Sequence, residues 1–209
     1  MISPVSFAQW RFDLIGELLV APEQFKYFIM AVDYHTKWIG AEPMTKFATD
    51  RVITFLWRCV YCRFGVPETF VTNNSTQFDN DKFRAFAHKN DTTVLYASPV
   101  HSQTNGQVKA INKLIKQNLK KRLNEITRLW AQKLPEVLWA LRTTPTNATG
   151  QSPFLLAFDI EAIIPVKIQV PSKRVEGNDP DMNVTDLQLN MDLLEERRDN
   201  THLWNINGK

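Results

Sequence analysis

The sequence is short of the features that would make it a stapled, secreted or membrane-bound protein. Cys59 and Cys62 are its only cysteines. A C-x-x-C pair can supply half a zinc site or a redox motif. No second pair follows, however, and His35, His88 and His101 lack finger spacing. Residues 58–64 read as the end of an apolar helix, so two packed thiols in a reducing compartment are expected. No run is long and apolar enough to span a bilayer. The first ten residues, M-I-S-P-V-S-F-A-Q-W, lack the basic start and apolar core of a secretory signal. A nuclear or cytoplasmic, non-secreted protein without membrane contact is expected. Charge of one sign is also lacking: 25 Lys and Arg oppose 22 Asp and Glu, for a net +3. Such a balance does not by itself identify a nucleic-acid binder; the local distribution of charge must.

What is present suits a packed domain. Hydrophobic residues make up 44% and charged residues 22% of 209 positions, enough for one ordinary core and an appendage. Residues 10–15, W-R-F-D-L-I, read as a strand with Asp13 embedded in it. Residues 25–33, F-K-Y-F-I-M-A-V-D, give the clearest strand signal, a nearly continuous aromatic and branched run. Residues 38–42 read as a third strand after a turn at 34–37, and such short connections predict an antiparallel meander. Thr49 is the expected N-cap of a helix over 50–63, with Val52, Phe55, Leu56, Cys59 and Val60 at helical spacing. Gly65 and Pro67 end it. A strand over 68–72 stops at Asn73, a helix over 80–89 turns Phe83 and Phe86 inward, and a fifth strand covers 92–96. This order gives two right-handed crossovers onto the meander. The predicted fold is α/β: a five-stranded mixed sheet, three antiparallel strands plus two parallel, with helices on both faces.

After a loop over 98–106, a long helix is expected over 107–126 and another over 130–142, with Pro135 in its first turns. A short helix follows over 152–158, capped by Ser152 with Pro153 at its first position. Beyond Ile160 the composition changes, and Pro165, Pro171, Gly177 and Pro180 mark a linker before a charged helix over 184–200. The expected organisation is a core over 1–160, a linker over 161–183 and a partial C-terminal helical extension over 184–209.

Asp13, Asn73 and Lys109 lie where this sheet would bring two strand ends and a helix start together. Thirty-five residues separate the last two, a spacing at which nucleic-acid-processing enzymes place a pair of metal-binding carboxylates. Three carboxylates there could hold two Mg²⁺ ions, because hard cations take oxygen ligands. Paired ions align attacking and leaving oxygens for displacement at phosphorus.

Ordered blocks over residues 9–170 carry a resemblance. They are W-x-x-D-L-I-G at 10–16, K-Y-F-I-x-A-V-D-Y-x-T-K-W at 26–38, A-E-P at 41–43, R-F-G-V-P at 63–67 and F-D-N-D-K-F at 78–83. N-G-Q-V at 105–108, L-P-x-x-L-W-A-x-R-T-T at 134–144 and T-G-x-S-P-F at 149–154 complete them. In these blocks the chain resembles the integrase catalytic core of plant gypsy-class LTR retrotransposons, a retroviral-type integrase of the RNase H-like superfamily. The resemblance implies that fold, Mg²⁺-dependent polynucleotidyl transfer in DNA integration, and a catalytic triad of Asp, Asp and Glu. By motif the triad falls on Asp13, Asn73 and Lys109. The family's T-D-N-G-T-Q-F stands here as T-N-N-S-T-Q-F, and N-G-Q-V-E as N-G-Q-V-K. Asp13 alone keeps its carboxylate.

Formal charge over the three positions thus goes from −3 in the family to 0 here, with −1 on Asp13, 0 on Asn73 and +1 on Lys109. Two unit charges about 4 Å apart interact by roughly 4 kcal/mol at an effective dielectric near 20, and a divalent ion doubles that. Lys109 would therefore repel a metal, and could pair with Asp13 in its place. Asp13 is expected to be a remnant metal ligand. No cofactor is expected in this chain, although active relatives use Mg²⁺, and the transferase chemistry is expected to be lost. Arg11, Ser75 and Asp159 also stand where the family's motifs carry Gly, and Ser102 where they carry Pro. Each of these departures, with Asn73 and Lys109, is one C-to-T or G-to-A transition from the family residue, as cytosine deamination of a silenced copy would leave. Gly40, where relatives tend to carry Glu, runs against that pattern. The lost glycines are expected to strain turns that need positive φ.

On the long predicted helix, Lys109, Lys113, Lys116 and Lys120 are spaced four, three and four apart and form one basic stripe. Val108, Ile111, Ile115, Leu119 and Ile126 form a separate apolar stripe. Lys121, Arg122 and Arg128 extend the positive charge. A solvated basic face is the plain reading of such a stripe. The resemblance implies DNA contact instead, through Lys113, Lys116, Lys120 and Lys121, with Asn105 and Gln107 in the mobile active-site loop. Such binding is weak, sequence-independent and salt-sensitive. The leading expectation is a catalytically defective integrase core with residual DNA binding, dimerising through the core. An active Mg²⁺-dependent polynucleotidyl transferase and a protein-interaction module using the dimer surface are the alternatives. An excised core is expected, without the zinc module and complete C-terminal DNA-binding domain that the resemblance implies for a full integrase.

Overall fold

A computed structural model describes residues 5–73, 75–96, 121, 127–146 and 149–163. The chain divides into two compact units, Met1–Leu141 and Arg142–Lys209.

In the first unit five strands are described: β1 (Gln9–Ile15), β2 (Tyr27–Asp33), β3 (Ile39–Met44), β4 (Thr69–Thr72) and β5 (Thr93–Tyr96). They form one sheet in the order β3-β2-β1-β4-β5. β1, β2 and β3 make the antiparallel meander, while β4 runs parallel to β1 and β5 parallel to β4. The sheet is the one the sequence predicts.

Because side chains alternate along a strand, β1 serves two faces. Trp10 and Phe12 are fully buried on one of them. There the Phe12 ring meets Phe70 of β4 edge-on at 4.7 Å, and Trp10 lies 5.4 Å from Phe64. Two helices cover this face. The first, α1 (Thr49–Leu56), continues through a π-helical turn at Trp57–Tyr61 and a last turn at Cys62–Phe64. The second, α2 (Asp81–Lys89), buries Phe83. The π turn widens the helix by one residue, so Val60 and Tyr61 are both buried while Trp57 is half exposed. Gly65, at φ 89°, ends the run as expected. Thr49 is not the N-cap: it is the first helical residue, behind an extended Ala48 that makes no side-chain cap. Its hydroxyl instead accepts from Asn80 Nδ2 at 3.0 Å. The α2 start is capped as its sequence allows, with Asn80 Oδ1 accepting from Phe83 N at 3.0 Å.

Ile15 lies on the other face with Phe28, Met30 and Val32 of β2 and Ile39 of β3. Helix α3 (Trp130–Thr143) packs Trp130, Leu134, Val137 and Leu138 against them. Trp130 is wholly buried, and its indole N–H donates to Leu19 O at 2.7 Å, across 111 residues of chain. Trp139, on the same helix, is exposed. Of the long helix expected over 107–126, Lys121 is described, as helical and exposed. The charged helix expected over 184–200 lies outside the described residues.

In the second unit α4 (Pro153–Phe158) starts as predicted, with Ser152 Oγ accepting from Leu155 N at 3.1 Å. Its C-cap, Asp159, is left-handed at φ 60°.

Candidate functional site

β1 and β4 bring two of the three expected site positions together. Their parallel register pairs Gln9 with Thr69, Trp10 with Phe70 and Arg11 with Val71. Two residues further along the same register stand Asp13 and Asn73. Asp13 sits within the central strand of the sheet and is 5% exposed. Asn73 follows the end of β4 and is exposed, its Oδ1 accepting from Ser75 N at 3.2 Å. Lys109 lies outside the described residues, as do Asn105, Gln107, Lys113, Lys116 and Lys120.

A residue not singled out for this site also occupies it. Arg11 Nε donates to Asp13 Oδ2 at 3.1 Å. The side chains are 18% and 8% exposed, so little water screens the pair. Burial works against the Arg11 guanidinium, but Asp13 and then Tyr34 outweigh it and hold its pKa above the ordinary arginine value. Burial likewise pushes the Tyr34 phenol upward. The two-residue period of β1 is the sequence signal for the pairing: residues 11 and 13 share one face.

The neighbouring carboxylates have other work. Asp33, expected to be structural, is fully buried at the end of β2. It accepts from Phe7 N at 3.1 Å and from Thr36 N and Oγ1, both at 2.7 Å, which closes the turn into β3. Burial raises its pKa to about 6. Asp79 and Asp81, past the end of β4, are both ion-paired with Arg84. Among the described residues no group of three or more His, Cys, Asp or Glu side chains could hold a metal ion. The C-x-x-C pair is no exception. Cys59 is half-buried and Cys62 exposed rather than packed. Cys59 donates to Glu42 Oε1 at 3.1 Å, and burial, then that hydrogen bond, push its thiol up to about 12.

The sheet order β3-β2-β1-β4-β5, with a meander of three antiparallel strands and two added in parallel, is that of an RNase H-like fold. Residues 5–102 match the family described as Integrase core domain. That match covers just under half of the chain, and three Pol-type polyproteins are similar to it over a longer stretch. It is 28% identical over 177 residues to the Pol polyprotein of Radiation murine leukemia virus (strain Kaplan), covering 82% of this chain and 28% of that one. It is 26% identical over 152 residues to the Gag-Pol polyprotein of Avian reticuloendotheliosis virus, covering 73% and 13%. To the Pro-Pol polyprotein of Feline foamy virus it is 25% identical over 162 residues, covering 76% and 14%. The chain thus spans between 13% and 28% of the length of these relatives. Among solved structures it is similar to a chain of the simian T-cell lymphotropic virus intasome in complex with PP2A regulatory subunit B56 gamma. The TM-score is 0.62 at 14% identity, over 79% of this chain and 61% of that one.

Proposed function

We propose that this chain is the integrase core of a plant gypsy-class LTR retrotransposon that binds DNA but no longer joins it. One observation carries the reading: Asp13, Asn73 and Lys109, the three triad positions, hold one carboxylate between them. A two-metal site needs several anionic oxygens. Asn73 offers a neutral amide whose oxygen already accepts from Ser75 N. The residues present do not fit a pair of divalent ions. Attack by a DNA hydroxyl on phosphorus would then lack the charge that aligns it.

DNA affinity does not need that charge. The basic stripe of Lys113, Lys116, Lys120 and Lys121, with Asn105 and Gln107, suits phosphate contacts that release counterions. The core over 1–160 would hold the site, with 161–183 a linker and 184–209 an extension. The protein would act in the nucleus or cytoplasm as a homodimer formed through the core. Strand-joining of a retroelement-end duplex by the purified chain, in Mg²⁺ and in Mn²⁺, tests the loss of chemistry, and product above background would overturn it. Fluorescence anisotropy on an arbitrary duplex tests DNA binding. Affinity should fall steeply between about 50 and 200 mM salt, and a flat response would remove the basic stripe from the account.

A further inference from the structure

The metal site of this chain has lost more than the two ligands at Asn73 and Lys109. We propose that Arg11 is a resident counter-ion that takes the place of a metal at Asp13, so that restoring both missing carboxylates would not restore metal binding. This rests on the reading of the chain as a defective integrase core.

The geometry is local and follows from the strand. Residues 11 and 13 project from the same face of β1. Arg11 Nε reaches Asp13 Oδ2 at 3.1 Å, and both side chains are largely withdrawn from water. Tyr34 also interacts with the guanidinium and favours its charged form. Its own backbone is tied to the same strand, Tyr34 N donating to Gln9 O at 2.9 Å. A cation of this kind is always charged and poorly exchanged for water. A divalent ion at Asp13 must displace it from Oδ2 and then tolerate a positive charge beside it. Moving the guanidinium away would break its contacts with both Asp13 and Tyr34. The gypsy-class motif carries glycine at position 11, which brings no cation. The Gly-to-Arg departure is therefore a separate lesion at the one carboxylate that survives.

The test is binding of Mn²⁺ alone to the full 209-residue chain, read by electron paramagnetic resonance of the free ion. The reference is the Asn73→Asp, Lys109→Glu double variant. Adding Arg11→Met removes the charge while keeping a long side chain on the strand; adding Arg11→Gly restores the family residue; adding Arg11→Lys keeps the charge. Arg11→Met or Arg11→Gly should tighten Mn²⁺ binding at least about tenfold over the double variant, a change of about 1.4 kcal/mol. Arg11→Lys should not. If the double variant binds Mn²⁺ as tightly as these triple variants, or if the triple variants fold by circular dichroism and bind no better, Arg11 is not the occupant and the proposal falls. Should both triple variants fail to fold, a double-mutant cycle on the unsubstituted chain with Arg11→Met and Asp13→Asn decides, and zero coupling in urea unfolding overturns the ion pair. Joining activity in the unsubstituted chain would defeat the defective-core reading by itself, whereas the Arg11 comparison is made wholly within the restored background.

Discussion

The carboxylate of Asp33 and the ammonium of Lys37 are buried four residues apart in one turn, and burial moves each of them toward its neutral form. Asp33 is raised from 3.8 to about 6 and Lys37 lowered from 10.5 to about 8. For Asp33 the folded state holds its proton longer than the unfolded chain, so its contribution is full below about pH 4 and is lost as pH rises to about 6. For Lys37 the folded state releases its proton earlier, so stability rises again between about pH 8 and 10.5. These two groups together predict a minimum between pH 6 and 8. Urea unfolding from pH 4 to 7 should show the difference between the unsubstituted chain and Asp33→Asn drifting in favour of the variant as pH rises. A difference independent of pH would sink the assignment.

Ser75 carries a buried hydroxyl with no hydrogen-bond partner among the described residues. A buried polar group left unsatisfied costs about 1–3 kcal/mol. Its backbone N–H, which donates to Asn73, does not depend on the side chain. Ser75→Ala should therefore stabilise the fold by roughly 1 kcal/mol, seen as a higher urea midpoint at unchanged m-value. A lower midpoint would mean the hydroxyl is satisfied.

At Asp159 the backbone is left-handed, φ 60°, where the helix α4 ends. Glycine adopts this conformation without a Cβ clash, and aspartate does so at some cost. Asp159→Gly should raise the thermal midpoint, by an amount worth roughly 1 kcal/mol. An unchanged or lower midpoint in differential scanning calorimetry would show that the cap is unstrained.

The two thiols should part company chemically. Cys59, half-buried against Glu42 with its pKa near 12, has almost no thiolate at pH 8, while Cys62 is open to solvent. Iodoacetamide at pH 8, followed by peptide mass mapping, should label Cys62 well before Cys59. Equal rates would show that the Cys59 environment opens in solution.

The sheet was legible because its strands announce themselves by alternation and by branched and aromatic runs, and because short connections leave few topologies. The pairing of β1 with β4 puts Asp13 beside Asn73, as the predicted strand order requires. What could not be read depends on distant partners. Thr49 looks like a cap in isolation, but Asn80, thirty-one residues on, claims its hydroxyl. The π turn leaves no mark in an apolar pattern that fits an ordinary helix nearly as well. Arg11 was visible as a departure from glycine, and its partner only as a strand neighbour, because nothing in local propensity says which way a long cation will fold back. Of the three positions where glycine was expected, Asp159 stands at positive φ, while Arg11 lies in an extended strand.

Asn80 ties the loop after β4 to the start of two helices. Its amide donates to Thr76 O at 2.7 Å, Gln77 O at 3.1 Å and Thr49 Oγ1 at 3.0 Å while its oxygen caps α2. None of these bonds involves Asn73 or Arg11. The backbone that follows Asn73 is thus braced by bonds in which the Asn73 side chain takes no part. A substitution at position 73 leaves every one of these bonds in place. The shape of this part of the fold therefore carries no information about which residue stands at position 73.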